Sequence, residues 1–297
     1  MTFLSVVLMC MIWGLTWVAI KIGLEDLPPF LSAGVRFVLA SALLWPAVLV
    51  RRVSLPRTWS EFRTILAPGF FIYGINYALV YWGEQYIGAG LAAILFASLP
   101  FLVALLAHQM LENEKITCLK LTGLTVGFLG VLLVFYGGLD FGPQSWWGML
   151  ALLGSSLSAA YANILVKRDL HYTDPILATA MQMSLGAVLL LGLGSLEESW
   201  HNFHLTPRAV GSLLYLSVFG SAVAFSLYFW ALKKTEATKL SLIAFVTPLV
   251  ALLAGNWILG EPITGRLMVG SILVLTGIAI VNYFSSAAKK QAGPQKS

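Results

Sequence analysis

Ten runs of about twenty apolar residues follow one another along 297 residues, parted by short polar stretches. No other feature narrows the fold so far. At about 1.5 Å of rise per residue, such a run spans a hydrocarbon core of roughly 30 Å as a helix. In lipid only helices and closed barrels satisfy every backbone polar group, and barrel strands need only about ten residues. The chain is 10% charged, against about 25% for an ordinary soluble domain, which leaves too few charges to coat a globule. These observations predict an all-α polytopic membrane protein with ten transmembrane helices, at about 3–22, 29–50, 64–84, 89–111, 119–137, 146–166, 175–194, 208–231, 239–259 and 266–286. Pro28, Pro29, Pro56, Gly137, Gly138, Pro143, Pro175, Pro207 and Pro262 punctuate the gaps.

An even number of spans puts both termini on one side. The even-numbered loops and the tail hold Arg51, Arg52, Arg57, Arg63, Lys115, Lys120, Lys167, Arg168, Lys233, Lys234, Lys239, Lys289, Lys290 and Lys296, whereas the odd-numbered loops hold Lys21, Arg208 and Arg266. That bias predicts cytoplasmic termini in a cell inner membrane. The net charge of +5 comes from these loops and forms no basic face, which argues against a nucleic-acid partner. Cys10 and Cys118 show no disulfide or metal-ligand spacing. Residues 3–22 resemble a signal peptide only superficially, having no preceding Lys or Arg and a counterpart later in the chain.

That counterpart belongs to an internal repeat offset by about 147 residues. Lys21 and Pro29 answer to Lys167 and Pro175; Trp82 and Ala89 to Trp230 and Ala237; Pro100 to Pro248; Glu114, Ile116, Thr117, Gly123 and Gly130 to Glu261, Ile263, Thr264, Gly270 and Gly277. The expected units are residues 3–137 and 146–286, followed by a disordered tail over 287–297. Each unit has five helices, an odd number, so the second enters the membrane from the opposite side. Two inverted-topology repeats related by an axis in the membrane plane are the arrangement of many secondary transporters.

The stretch Trp13-Gly-Leu-Thr-Trp-Val-Ala-Ile-Lys21, followed by Pro29 and Arg36-Phe37, resembles the opening of an EamA domain. Ala89, Pro100 and Glu114, repeated as Ala237, Pro248 and Leu259-Gly-Glu-Pro262, resemble its later part. The resemblance, to the drug/metabolite transporter superfamily, covers about 3–286 as two tandem units. It implies a carrier of amino acids, drugs or other metabolites, a central cavity lined by the third, fourth, eighth and ninth helices, and packing or dimer roles for the fifth and tenth.

Of thirteen acidic residues none is read as deep within a helix, Glu84 being placed at the outer end of the third. Proton-driven carriers commonly bury a carboxylate or histidine, so facilitated diffusion or exchange is expected. Arg36, about 11 Å inside the second helix at 1.5 Å per residue, is either an anion anchor for substrate or a structural residue paired with Glu84 or Asp26. His108 is a gate or an interfacial histidine. Trp17 follows Trp13 and Thr16 by one turn or less; Tyr73, Asn76, Tyr77 and Tyr81 share one face of the third helix; Tyr161, Asn163 and Gln182 lie in the sixth and seventh. Such side chains line a cavity or hold helices together, since lipid satisfies none of their polar atoms. Pro100 and Pro248, read as mid-helix interruptions at matching positions, are expected hinges or cavity formers.

No catalytic set, metal-ligand set or nucleotide-binding loop appears, and no cofactor is expected. The reading is a secondary transporter of small metabolites by alternating access, an exporter of amino acids or related solutes. Alternatives are a multidrug or nucleoside permease, a channel or a membrane-embedded enzyme. Its partners are then a small-molecule substrate and membrane lipid, with the protein a monomer or homodimer.

Overall fold

Pro29, Pro175 and Pro207 each open a helix in the first turn, where a missing N–H costs nothing. Asp174 caps one of these starts, its carboxylate accepting from the amides of Ile176 (2.9 Å) and Leu177 (3.2 Å), and Thr206 caps another through Ala209 N (3.2 Å). Thr58 accepts from Glu61 N while Glu61 accepts from Arg57 N, a reciprocal cap. The sequence thus marks its own helix starts.

The computed structural model describes residues 2–111, 118–138, 142–170, 173–225, 227–228 and 242–291. Its helices are α1 (Thr2–Gly23), α2 (Pro29–Val50), α3 (Trp59–Gly69), α4 (Tyr77–Gly83), α5 (Ala89–Phe96), α6 (Leu99–Met110), α7 (Cys118–Gly138), α8 (Ser145–Asp169), α9 (Pro175–Glu197), α10 (Pro207–Leu214), α11 (Leu242–Leu259) and α12 (Gly265–Gln291). A π-helical turn, π1 (Phe70–Asn76), joins α3 to α4, and a second, π2 (Tyr215–Val223), continues α10. Among the described residues five stretches, Pro29–Val50, Trp59–Glu84, Ala89–Met110, Ser145–Asp169 and Pro175–Glu197, are long and apolar enough to cross a membrane, and shorter apolar helices accompany them. Together the described residues make a polytopic, all-helical bundle in two repeats.

The packing respects the exchange of halves. α1 lies on α11 as α8 lies on α5 and α6, while the self-matched pairs α2–α9 and α7–α12 each join one half to the other. The glycines of α7 and α12 are spent on this contact. A Cβ on Gly130 would stand 2.6 Å from Val274 N, and one on Gly277 would stand 2.5 Å from Gly127 N, so the two backbones touch as small-residue packing allows.

One end of the bundle carries the connections 24–28, 84–88, 198–206 and 260–264, here called the odd end. It is stitched across the halves. Thr206 donates to the Asp26 carboxylate (2.5 Å), His204 N to Asp26 O (3.1 Å), and Arg208 pairs with Glu25 at 3.4 Å. The Glu261 carboxylate accepts from Ala89 N (2.6 Å) and Gly90 N (2.9 Å), capping α5. Glu198 caps α2 through Phe30 N and Leu31 N, both 2.9 Å, and burial pushes its carboxyl above its ordinary value against the lowering effect of those two bonds.

Two local readings change. Pro100 does not interrupt a helix: the fourth span breaks at Ala97–Ser98, and Pro100 sits in the first turn of α6. Pro248 does lie inside α11. α12 runs to Gln291, into the stretch read as a disordered tail; 292–297, like Glu114 and Ala237, lie outside the described residues.

Candidate functional site

Arg36 is the largest wholly enclosed side chain among the described residues, at 1% exposure. Charge without water needs compensation. Its Nε donates to Ser221 Oγ on π2 (3.1 Å), and one terminal nitrogen donates to the Tyr81 hydroxyl on α4 (3.3 Å). The guanidinium carbon stands 5.0 Å from the Tyr77 ring centre and 5.5 Å from that of Phe37, within cation–π range. Neither carboxylate named as a partner reaches it: Asp26 is held by Thr206, and among the described residues no acid forms an ion pair with Arg36. Two of the five guanidinium N–H groups are therefore spoken for, on neutral hydroxyls.

Aromatic rings extend from this point. Phe37 meets Tyr73 (5.2 Å) and Tyr77 (4.8 Å) edge-on, Tyr73 and Tyr77 lie parallel at 6.0 Å, and Phe225 bridges Tyr73 (6.1 Å) to Trp13 (5.6 Å). Each favourable ring pair adds about 0.5–1.5 kcal/mol beyond the area it buries. The first, second, third and eighth spans thus converge on one cation ringed by aromatic faces. The three-to-four spacing of Tyr73, Tyr77 and Tyr81 carries through the π-turn and keeps them on this side.

The other named residues fall into separate places. Trp17 is buried against Phe96 (5.3 Å) on α5. Asn76 donates to Ile72 O of its own span (3.0 Å), and its Oδ1 is buried without a partner. Tyr161 meets Phe71 at 4.7 Å, on the far side of the third span. Gln182 donates to Ile65 O (2.9 Å) and packs over Gly69. Asn163 and His108 are exposed, His108 in the last turn of α6.

Two features escaped the sequence reading. The first is the pair of π-turns. They occupy matching positions of the two repeats, and each offers a carbonyl to the leading helix of the other half: Ser158 of α8 donates to Phe71 O (2.8 Å), and Trp13 of α1 donates to Gly220 O (3.2 Å). π-turns inside α-helices are frequent at functional sites because they loosen the backbone ladder. The Gly220-Ser221 pair in mid-span was the available signal, such pairs being places where helices bend. A Cβ on Gly220 would stand 2.8 Å from Thr16 and 3.5 Å from Arg36, so its absence lets α1 and the guanidinium close on π2.

The second is Glu84. Its place at the end of the third span suggested water contact, yet it is 0% exposed and neither carboxylate oxygen has a hydrogen-bond partner. The premise that no acid is buried in this bundle therefore fails.

Comparison with known proteins agrees with this architecture. A family model described as the EamA-like transporter family matches residues 1–136 and 146–283. The chain is 29% identical over 289 residues to "Uncharacterized transporter YoaV" of Bacillus subtilis, covering 97% of this chain and 98% of that protein. It is 28% identical to "Protein PagO" of Salmonella typhimurium, covering 91% and 89%, and 29% identical to "Uncharacterized inner membrane transporter YedA" of Escherichia coli, covering 85% and 81%. A solved crystal structure shares the fold at a TM-score of 0.68 and 18% identity, covering 95% of this chain and 97% of that one.

Proposed function

The chain belongs to the EamA-like transporter family, and from that premise we propose that it exports amino acids or related carboxylate-bearing metabolites by alternating access. It is a membrane transporter; the substrate class and direction are our reading. The observation that carries the substrate class is Arg36, a buried guanidinium that among the described residues donates to two neutral hydroxyls and is surrounded by aromatic faces. A planar guanidinium suits bidentate capture of a carboxylate, and apolar walls with few polar handles suit a small amphipathic solute.

The mirrored halves support the mechanism. π1 and π2 are matched soft points in the third and eighth spans, and a backbone carbonyl of each accepts from the leading helix of the opposite half. Exchanging the conformations of the halves exchanges which end is closed. In this structure the odd end is stitched by Asp26, Glu25, Glu198 and Glu261. The Lys and Arg bias supports a periplasmic assignment for that end in a bacterial inner membrane. A homodimer is compatible with this reading, although α7 and α12 spend their glycine faces on each other.

A counterflow screen in proteoliposomes tests the proposal, using labelled amino acids, nucleosides and cationic drugs. Saturable counterflow of amino acids is the expected result. Counterflow confined to nucleosides or cations would remove Arg36 as a carboxylate anchor, and unsaturable flux would indicate a channel. Within the same assay, Tyr77→Ala removes the half-buried ring 5.0 Å from the guanidinium. It is expected to reduce transport about tenfold with normal expression, from loss of a cation–π contact of about 0.5–2 kcal/mol and of the adjoining wall. Unchanged transport would take the third span out of the site.

A further inference from the structure

Among the acids of the odd end, Glu84 stands apart. Asp26 accepts from Thr206, Glu25 pairs with Arg208, Glu198 caps α2 and Glu261 caps α5. Among the described acids Glu84 alone is completely enclosed, and neither of its carboxylate oxygens has a hydrogen-bond partner there. The ammonium beside it does not serve it: Lys21 donates to the backbone carbonyls of Glu84 and Ile87 (2.9 Å to the latter), at the C-terminal end of α4 where a cation belongs. The groups that face the Glu84 carboxyl are Lys21 from α1, Arg36 from α2, Tyr81 from its own helix and Glu261 from the segment before α12.

The repeat says what this carboxyl is not for. Pro29 answers to Pro175, so Arg36, seven residues on, answers to Gln182; Trp82 answers to Trp230, so Glu84, two residues on, answers to Leu232. Both charges of the first half are neutral in the second. A packing role shared by the two halves would need no charge at either position, and Tyr81, which accepts from Arg36 at 3.3 Å, lies three residues before Glu84 in the third span. A cavity of about 350 Å³ lined by Lys21, Glu25 and Glu261 opens on the odd-end side of this group, and Glu84 itself does not line it.

Resting on the reading of Arg36 as carboxylate anchor, we propose that Glu84 is the proton site of the transport cycle: its carboxyl holds a proton in this closed state and releases it when the ammonium group of an amino acid bound at Arg36 takes its place. A carboxylate shut away from water with no hydrogen-bond donor is costly, and either a proton or an ammonium group lowers that cost. One buried acid that holds either cation, and never both, makes export of the solute and entry of a proton alternate steps of one cycle.

Two measurements test this. In proteoliposomes with a labelled amino acid, an acid interior is expected to drive several-fold accumulation by the natural protein. In Glu84→Gln the ratio of gradient-driven to gradient-free uptake should fall to one, whatever the residual rate, and Glu84→Asp should restore part of it. Equal accumulation in Glu84→Gln, a natural protein that counterflows but ignores the gradient, or accumulation under the opposite gradient would each overturn the proposal while leaving the carrier reading in place. Infrared difference spectra across a pH titration give a readout independent of any substrate. The stretching band of a protonated carboxyl should be present in the natural protein and missing in Glu84→Gln; an unchanged band would overturn the assignment even if no labelled amino acid were carried. Absence of counterflow for every amino acid, with the band behaving as expected, would instead sink the substrate reading.

Discussion

Arg36→Gln is expected to lower the apparent affinity for carboxylate-bearing solutes about 10- to 100-fold while the protein folds and elutes as the natural chain does. The magnitude follows from losing charge-assisted bonds worth about 1.5–3 kcal/mol, at a factor of ten per 1.4 kcal/mol. Glutamine is the informative replacement because the second half carries Gln182 at the matching position and buries it against α3 through Ile65 O (2.9 Å). An amide at this depth is thus already accommodated once in the bundle, and it still offers donors to Ser221 and Tyr81. Alanine would confound the result by leaving both hydroxyls and the Tyr77 face without a partner. Counterflow at the natural affinity in Arg36→Gln would make Arg36 a structural cation, and the substrate class proposed above would lose its basis.

Gly277→Val should prevent folding altogether. The added Cβ would lie 2.5 Å from Gly127 N and 2.6 Å from Gly123 O. Both are backbone atoms of α7, so no side-chain rotation relieves the clash and the helices must part. Overpacking commonly costs about 1–3 kcal/mol even where side chains yield, and here the contact broken is one of two that join the halves of like helices. Gly192→Ala is the control: nothing lies within 4 Å of its Cβ position, and alanine is favoured over glycine within a helix by about 1 kcal/mol. Thermal unfolding in detergent, followed by size-exclusion chromatography, separates the outcomes. A monodisperse Gly277→Val protein would mean that α7 and α12 do not pack as described.

The helices were legible because their signals are local and redundant. Proline at Pro29, Pro175 and Pro207 with caps at Asp174 and Thr206 sets starts that any lipid-spanning helix would share. The repeat was legible because Pro, Trp, Glu and Gly recur in register, and the face of Tyr73, Tyr77 and Tyr81 because it is a matter of spacing alone. Depth was not legible. Whether a helix-end acid meets water depends on what the other half lays over it, and nothing near Glu84 in the chain announces Lys21 or Glu261. The π-turns were missed for a related reason: their residues are as apolar as any span, and only the Gly220-Ser221 pair hints that the ladder loosens there. Pro100 misled because a proline looks the same in mid-helix and just after a break, which here falls at Ala97–Ser98. Asn163 was grouped with Tyr161 by proximity along α8, and the helix turns it outward to an exposed position.

Two halves that trade conformations should show it as opposed movements at the two ends of the bundle. Spin labels at Gln85 and His201 report across the odd end, and labels at Arg57 and Arg168 across the other; all four positions are exposed and each pair bridges the halves. Pulsed-dipolar distances in proteoliposomes, with and without a transported amino acid, measure both. The account predicts that one distance distribution lengthens in the same condition in which the other shortens. Distances that stay fixed at both ends, or that lengthen together, would contradict it.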